Sequence, residues 1–425
     1  MVRSAMVRKG VMGALALLMG LLALGPALAQ EDFVFGMILV GSRDDQGWSQ
    51  AHVEGGEYVV EKLAEEDVNA RMIVFENLNV VVNPNVTLID VVAEMVDEGA
   101  ELIFTTSDAF EPDTLEAAEE FPDIQFVHIS GSAVLGLTPA DIFPERFESA
   151  EPLEAPANFA NLMGEMEFGK MIAGCAAALT SDTGRISYLG PLINAETRRL
   201  VASTYLGARY CYENYADGNP EDLSFEVIWI GFWVPTPDTL DPVQVTNTFF
   251  DTGSDIVISG IDPQDALIVA GQRRGQDDDV YAVPYDYELA CDTAPEACLG
   301  VPYFHWGPEY LRLVNLVRNG EFEQEWTWVG PDWGDINNPD TTTVGWRNGP
   351  ALPEDAAADL DAFIAEMTAF MTDPANEGRF FLWEGPLNFQ DGTALAAEGE
   401  WVDPLEVWYL PQLLEGITGD STLGE

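Results

Sequence analysis

The chain has 425 residues, with 73 Asp and Glu against 18 Lys and Arg, for a formal net charge of −55. So acidic a surface repels nucleic acid and anionic lipid headgroups, and neither is an expected partner. The length suits about two or three domains, each able to bury its own core. The acidity reads as a surface adapted to solvent, high salt included. Runs such as Asp277-Asp278-Asp279 lack calcium-loop spacing and read as solvated turns.

The first stretch is an address. Arg3, Arg8 and Lys9 precede an apolar core from Val11 to Leu24, and Ala27-Leu28-Ala29 is a small-x-small cleavage site. This predicts a secretory signal peptide over residues 1–29, cleaved after Ala29, and a periplasmic protein. No Cys lies near the cleavage point to carry a lipid anchor, and no later stretch is long and apolar enough to span a bilayer. Export favours disulfides among the four cysteines. Cys291 and Cys298 lie close together in CDTAPEAC, which leaves Cys175 and Cys211 to join two helices. The pairing rests on proximity, and the other connectivities stay open. There is no CxxC, so no zinc or redox site is suggested.

Phe33 to Val40 is a short apolar run of the kind a doubly covered parallel strand shows. A polar loop, Gly41 to Gly47, follows it, and then a helix from about Ser49. Met72 to Phe75, Leu102 to Thr105 and Gln125 to Ile129 read as strands, with helices at Val53 to Leu63, Val91 to Glu98 and Leu115 to Glu120. Residues 132–157 have no clean period and read as a crossing between lobes plus a surface loop. Alternation then resumes. Phe159 to Thr180 reads as one long helix. Strands follow at Ile186 to Leu189, Phe225 to Ile230, Ile256 to Ser259 and Val280 to Val283, with helices at Glu196 to Tyr212, Val243 to Phe250 and Gln264 to Gly271. Glu309 to Val317 is helical, Glu325 to Val329 is a strand, and the tail carries helices at Pro353 to Met371 and near Val407 to Glu415. Repeated βα alternation predicts parallel sheets with helices on both faces. Two such arrays in succession predict an α/β, two-lobed periplasmic binding protein of type I. Lobe 1 is expected over 30–131, returning at about 304–330. Lobe 2 is expected over 132–303, with 331–425 mostly in lobe 2 and a C-terminal extension.

In open α/β sheets ligands bind beyond the C-terminal ends of the strands. That rule selects Asp44, Asp45, Gln46 and Trp48 after the first strand and Ser107, Asp108 and Phe110 after the third. In the second array it selects Phe232, Trp233, Asp262, Tyr285 and Asp286, and Trp306 sits where the chain crosses back. Aromatics stack on flat heterocycles, and carboxylates accept from amino, ring N–H and ribose hydroxyl groups. With few basic groups, the set suits a neutral or cationic polar ligand. Core packing is the lesser alternative for Trp48, and one of Phe232 and Trp233 is expected to be core while the other faces the cleft. Trp326, Trp328, Trp333 and Trp346 read as surface packing. His52 either reaches the site or has a local partner on its helix, and His128 reads as structural.

Nine phrases in order resemble the basic membrane protein family of ABC-transporter substrate-binding proteins, the group similar to the purine nucleoside receptor. They are DDQGWSQAHVEGGEYV, FPDIQFVHISG, NFANLMGEMEFGKMIAGCAA, ISYLGPLINAETRR, WIGFWVP, GIDPQDA, VPYDYE, FHWGPEY and FLWEGPLNFQDG. The resemblance implies a purine, nucleoside or similar small polar ligand, an ABC permease in the inner membrane as partner, a monomer, and no cofactor. It implies a base held between aromatics by first-lobe acids, with Asp44 or Asp45 as the match, and second-lobe acids on the sugar, with Asp262 as the match. TTSDAF departs from the family phrase around Asp108. No lysine matches the one that accompanies the sugar-binding acid, so a free base stands beside a nucleoside as the expected ligand. A sensory receptor subunit and an exported hydrolase are the alternatives. Neither GxSxG nor HExxH occurs. Gly164 to Lys170 has the spacing of a phosphate loop. It is rejected because Met171 replaces Ser or Thr, two glutamates repel phosphate, and no strand is expected before it.

Overall fold

The computed structural model describes residues 32–216 and 218–422. The expected leader, 1–29, lies outside the described residues. The first array runs β1 (Asp32–Leu39), α1 (Trp48–Glu65), β2 (Asn69–Phe75), α2 (Leu88–Asp97), β3 (Leu102–Thr106), α3 (Glu111–Glu120), β4 (Gln125–Ile129), a short α4 (Pro139–Ile142) and β5 (Phe159–Gly164). The second runs α5 (Met166–Thr180), β6 (Arg185–Gly190), α6 (Ala195–Asn214), β7 (Ser224–Trp229), α7 (Pro242–Asp251), β8 (Ile256–Ser259), α8 (Asp265–Arg274) and β9 (Tyr281–Val283). The remainder holds β10 (Gly300–Phe304), α9 (Gly307–Asn319), β11 (Trp326–Val329), β12 (Val344–Asn348), α10 (Glu354–Met371), β13 (Leu387–Asn388), β14 (Ala394–Ala396), α11 (Pro404–Trp408) and β15 (Ile417–Thr418).

Two parallel sheets result. The first has the order β11-β5-β4-β3-β1-β2 and the second β15-β7-β6-β8-β9. Their central strands are buried on both faces, which is why they read as unbroken apolar runs. α9 packs on α1 and so returns the chain to the first sheet.

The structure departs from the sequence reading in the segment before α5. Phe159–Gly164 is a fully buried strand between β4 and β11, and the helix starts only at Met166. A six-residue apolar run carries no period that separates strand from helix. The chain therefore stays in the first sheet beyond residue 131 and passes over at Glu165, whose N–H donates to Val329 O at 2.8 Å. A strand thus does precede Gly164 to Lys170. One residue, Glu165, separates strand from helix, so there is no loop to cradle a phosphate. The Lys170 ammonium is turned away to Ser259 O, 2.7 Å off.

α5 and α6 pack closely enough that a Cβ on Gly174 or Gly207 would collide with the other helix's backbone. Cys175 is bonded to Cys211 between them, and Cys291 to Cys298. In the tail, α10 lies on α5, α11 on α6, and β15 extends the second sheet beside β7. The tail also holds the 132–147 loop: Tyr409 Oη donates to Ser132 Oγ at 3.0 Å, and Arg146 pairs with Asp391 at 3.1 Å. The expected helix near Val407 to Glu415 is the shorter α11. Of the late tryptophans, Trp346 is interior, whereas Trp326 and Trp328 are half-buried and packed against the core. Trp326 and Trp328 each meet Trp408 edge-on at 5.0 Å, and Trp346 is buried.

Candidate ligand-binding cleft

Strand order reverses between β1 and β3 in the first sheet and between β6 and β8 in the second. At such a switch point adjacent loops diverge and leave a crevice beyond the strand ends. The two crevices face each other. Between them lies a cavity of about 360 Å³ of atom-free space, lined by Val40, Trp48, Ser107, Asp108 and Ser130 on one side. Glu196, Trp233, Asp262, Tyr285 and Asp286 line the other.

The halves are closed on one another. Ser130 Oγ donates to Glu196 Oε2 at 2.8 Å, and Asn194 Nδ2 to Asp108 Oδ2 at 3.4 Å. Gln264 Nε2 donates to Gln46 O at 2.8 Å, and Thr293 Oγ1 to Gln46 Oε1 at 3.0 Å. Gly47 lies so tightly against the Asp262 carbonyl that any Cβ there would overlap it. The loop after β1 is thus a docking edge as well as a wall.

Seven of the expected residues line the cavity: Trp48, Ser107, Asp108, Trp233, Asp262, Tyr285 and Asp286. The first-lobe acid pair does not. Asp44 is exposed and accepts from Ser42 Oγ at 2.6 Å. Asp45 accepts from the N–H groups of Gly47, Ser49 and Gln50 at 2.9–3.0 Å and so holds the N-terminus of α1. Gln46 joins the lobes, as above. Phe110 and Phe232 line a wider groove at the cavity mouth, and Asp45 and Asp262 border that groove too. Trp233 lines the cavity, so neither Phe232 nor Trp233 is core. Trp306 is fully buried behind the wall, stacked on Phe304 at 4.6 Å and on His52 at 4.7 Å. Among the described residues His52 neither lines the cavity nor has a hydrogen-bond partner on its own helix: it is buried, and its Nδ1 pairs with Tyr310 Oη of α9 at 2.6 Å. His128 is buried and pairs through Nε2 with Ser107 O at 2.8 Å, fixing the start of the Ser107–Phe110 turn.

Glu196 and Ser130 were missed, although both obey the rule that found the others. Ser130 directly follows β4, and Glu196 lies in the first turn of the helix after β6. The rule had been applied to five strands and not to these two.

Lys170 was also missed as a site-side cation. Its ammonium is buried 3.4 Å from the centroid of the Tyr285 ring and attracts the Asp286 carboxylate. A lysine therefore does stand beside a second-lobe acid.

Electrostatically the cavity is strained. Burial and mutual repulsion with Asp286, Asp45, Asp108 and Glu196 drive the Asp262 carboxyl well above the ordinary carboxylate range. Burial likewise raises Asp286, against the pull of Lys170, and lifts Glu196 to about 7. Burial lowers Lys170 to about 7. Among the described residues neither oxygen of Asp286 nor the indole N–H of Trp233 makes a well-aligned hydrogen bond, although the Tyr285 hydroxyl lies beside Asp286 and the Trp233 N–H beside the Asp108 carboxylate. Asp286 is held in a left-handed conformation, φ 71°, with its N–H on Pro302 O and its carbonyl taken by Phe304 N–H. Buried polar groups left unpaired cost on the order of 1–3 kcal/mol each, more when charged, so the Asp286 oxygens could take a ligand's donors and the Trp233 N–H a ligand's acceptor.

Residues 33–215 match the family model described as ABC transporter substrate-binding protein PnrA-like. A purine-binding protein of Brucella abortus is 25% identical over 404 residues, covering 92% of this chain and 94% of its own. A putative ABC transporter glucose-binding protein of Haloferax volcanii is 23% identical over 234 residues, covering 55% of this chain and 50% of its own. Among solved structures, an ABC transporter solute-binding protein from Conexibacter woesei superposes with a TM-score of 0.53 at 15% identity, covering 79% of this chain and 96% of that one. One from Aeropyrum pernix K1 gives 0.56 at 10% identity, covering 79% and 86%. At those identities the likeness shows the two-lobed fold alone. Over residues 33–215 the chain is thus similar to the PnrA-like ABC transporter substrate-binding proteins of the Bmp family.

Proposed function

We propose that this protein is the extracytoplasmic receptor of an ABC importer and captures a purine base, a nucleoside or a similar N–H-rich solute between its lobes. The observation that carries the reading is the convergence of three buried carboxylates, Glu196, Asp262 and Asp286, and the half-buried Asp108 with the rings of Trp48, Trp233 and Tyr285 around one cavity. Acceptors in excess call for a ligand rich in donors, and three aromatic rings call for a flat one. The purine-binding relative, matched over nearly its whole length, supports the same ligand class. Closure would be favoured as far as the ligand binds the closed form better than the open one. The closed form is then what a permease reads. No chemical step is assigned to the cavity.

Thermal-shift screening of the mature protein against adenine, hypoxanthine, guanosine, adenosine and glucose tests the ligand class. At a hundredfold excess over Kd, a ligand adds about 2.7 kcal/mol to stability. A rise with a purine or nucleoside is expected. A rise with glucose alone would replace the base with a sugar and leave the receptor reading standing.

A further inference from the structure

The mouth of the cavity is built differently from its floor. It opens into a groove of about 1570 Å³ of atom-free space that shares Val40 and Asp262 with the carboxylate cavity. One bank is the loop after β2, which carries Val80, Val81 and Val82 at 83%, 53% and 57% exposure. Three consecutive valines left in water are costly unless something covers them. The loop is not slack. Asn79 Nδ2 donates to Val40 O at 2.8 Å, and the Asn79 side-chain oxygen accepts from the N–H groups of Val81 and Val82 at 3.0 and 2.9 Å. Asn83 Nδ2 donates to Asn77 O at 2.9 Å. The valines are therefore held at the rim by the residue that also ties the loop to β1's end. The facing bank comes from the other lobe: Phe232, Val234 and Pro235, in the segment whose Trp233 lines the cavity. No Lys or Arg lines the groove.

We infer that the groove holds an apolar substituent of the same ligand whose N–H-bearing ring enters the carboxylate cavity. The ligand class narrows to bases carrying an alkyl or aryl group, and phosphorylated forms are excluded for want of a cation. This rests on the base-binding reading above. Continuity through Val40 and Asp262 lets one molecule span both spaces. The apolar banks come one from each lobe, so the substituent helps to hold the lobes together.

Calorimetric titration of the mature protein with adenine, N6-benzyladenine, 9-benzyladenine and adenosine tests this. At least one benzyl derivative is expected to bind about tenfold or more tighter than adenine, given the apolar area buried. The double variant V81S/V234S should bring that ratio close to one while leaving the affinity for adenine within about twofold. Adenine bound as tightly as both benzyl derivatives, or adenosine bound tighter than either, overturns the inference and leaves the base reading intact. A benzyl advantage that survives the double variant overturns it too, because the substituent then lies elsewhere. If none of the four binds, the base reading fails and takes the substituent with it.

Discussion

The two walls of the cleft differ in how far their polar groups are satisfied. On the first-sheet side Asp45 is taken up by three backbone N–H groups of α1, and the Trp48 indole N–H donates to Thr106 O at 2.7 Å. That bond ties the helix after β1 to the end of β3 and bridges the switch-point crevice. On the second-sheet side neither Asp286, beside the Tyr285 hydroxyl, nor the Trp233 N–H, beside Asp108, makes a well-aligned hydrogen bond among the described residues, and Asp262 is surrounded by like charges. Asp108 apart, the first wall is a finished shelf. The second is a set of acceptors and a ring waiting for a ligand. Recognition energy should therefore sit mainly in the second wall, and substitutions in the first should act on the fold.

The largest separation is expected for Asp262→Asn. Loss of a charged acceptor costs about 1.5–3 kcal/mol of binding, or roughly ten- to hundredfold in Kd. The same change relieves repulsion among buried carboxylates, so the ligand-free melting temperature should rise. Calorimetry and thermal denaturation read the two signs separately, and a fall in both would place Asp262 with the fold. Next, Trp233→Ala should lose about 1–3 kcal/mol of stacking with little change in melting temperature. Trp48→Ala should lower both affinity and stability, because Trp48 also packs edge-on against His52, Phe304 and Trp306. Equal behaviour of the two tryptophans would erase the contrast. A smaller effect is expected for Asp45→Ala, which removes a helix-end anchor worth about 1 kcal/mol of stability and should leave affinity nearly unchanged. A loss of affinity matching that of Asp262→Asn would return the first-lobe acid to the site.

The smallest effect is one of pH. Burial and the neighbouring Glu167 raise Glu165, at the passage between the sheets, to about 8, and burial raises Glu196 to about 7. A carboxyl whose folded pKa is raised binds its proton more tightly in the native state. Its stabilisation is complete below the unfolded value near 4.5 and is lost as pH rises through the folded one. Lys170, lowered to about 7, works the other way above that pH, and the buried His52 and His128, both lowered by burial, work the other way below about 6.5, so the glutamates are read by comparing each variant with the parent across pH 5 to 7. Across that range the ligand-free melting temperature of the parent should fall relative to that of Glu165→Gln or Glu196→Gln.

Much of this architecture can be read from the order of residues, for definite reasons. Strands buried on both faces are continuous apolar runs, and helices between them keep their period, so the two βα arrays are legible. β5 is not, because FANLMG has neither alternation nor helical spacing. The strand-end rule locates the walls, since it depends only on strand direction, and applied to every strand it also yields Ser130 and Glu196. It does not say which polar group at a strand end serves the ligand and which serves the helix. Asp44 and Asp45 look alike in sequence, yet one is exposed and the other anchors α1. Lys170 is hidden for another reason: it lies inside a helix, and only the packing of α5 on the second sheet brings it to Tyr285 and Asp286.

The most direct test of the unequal walls is a crystal structure of the mature protein with adenine bound. Expected is a ring lying against Trp233 and Trp48, with its N–H donors within about 3.2 Å of the carboxylates of Asp262 or Asp286. A base held instead by Asp44 or Asp45, with Asp262 and Asp286 still unpaired, would contradict it.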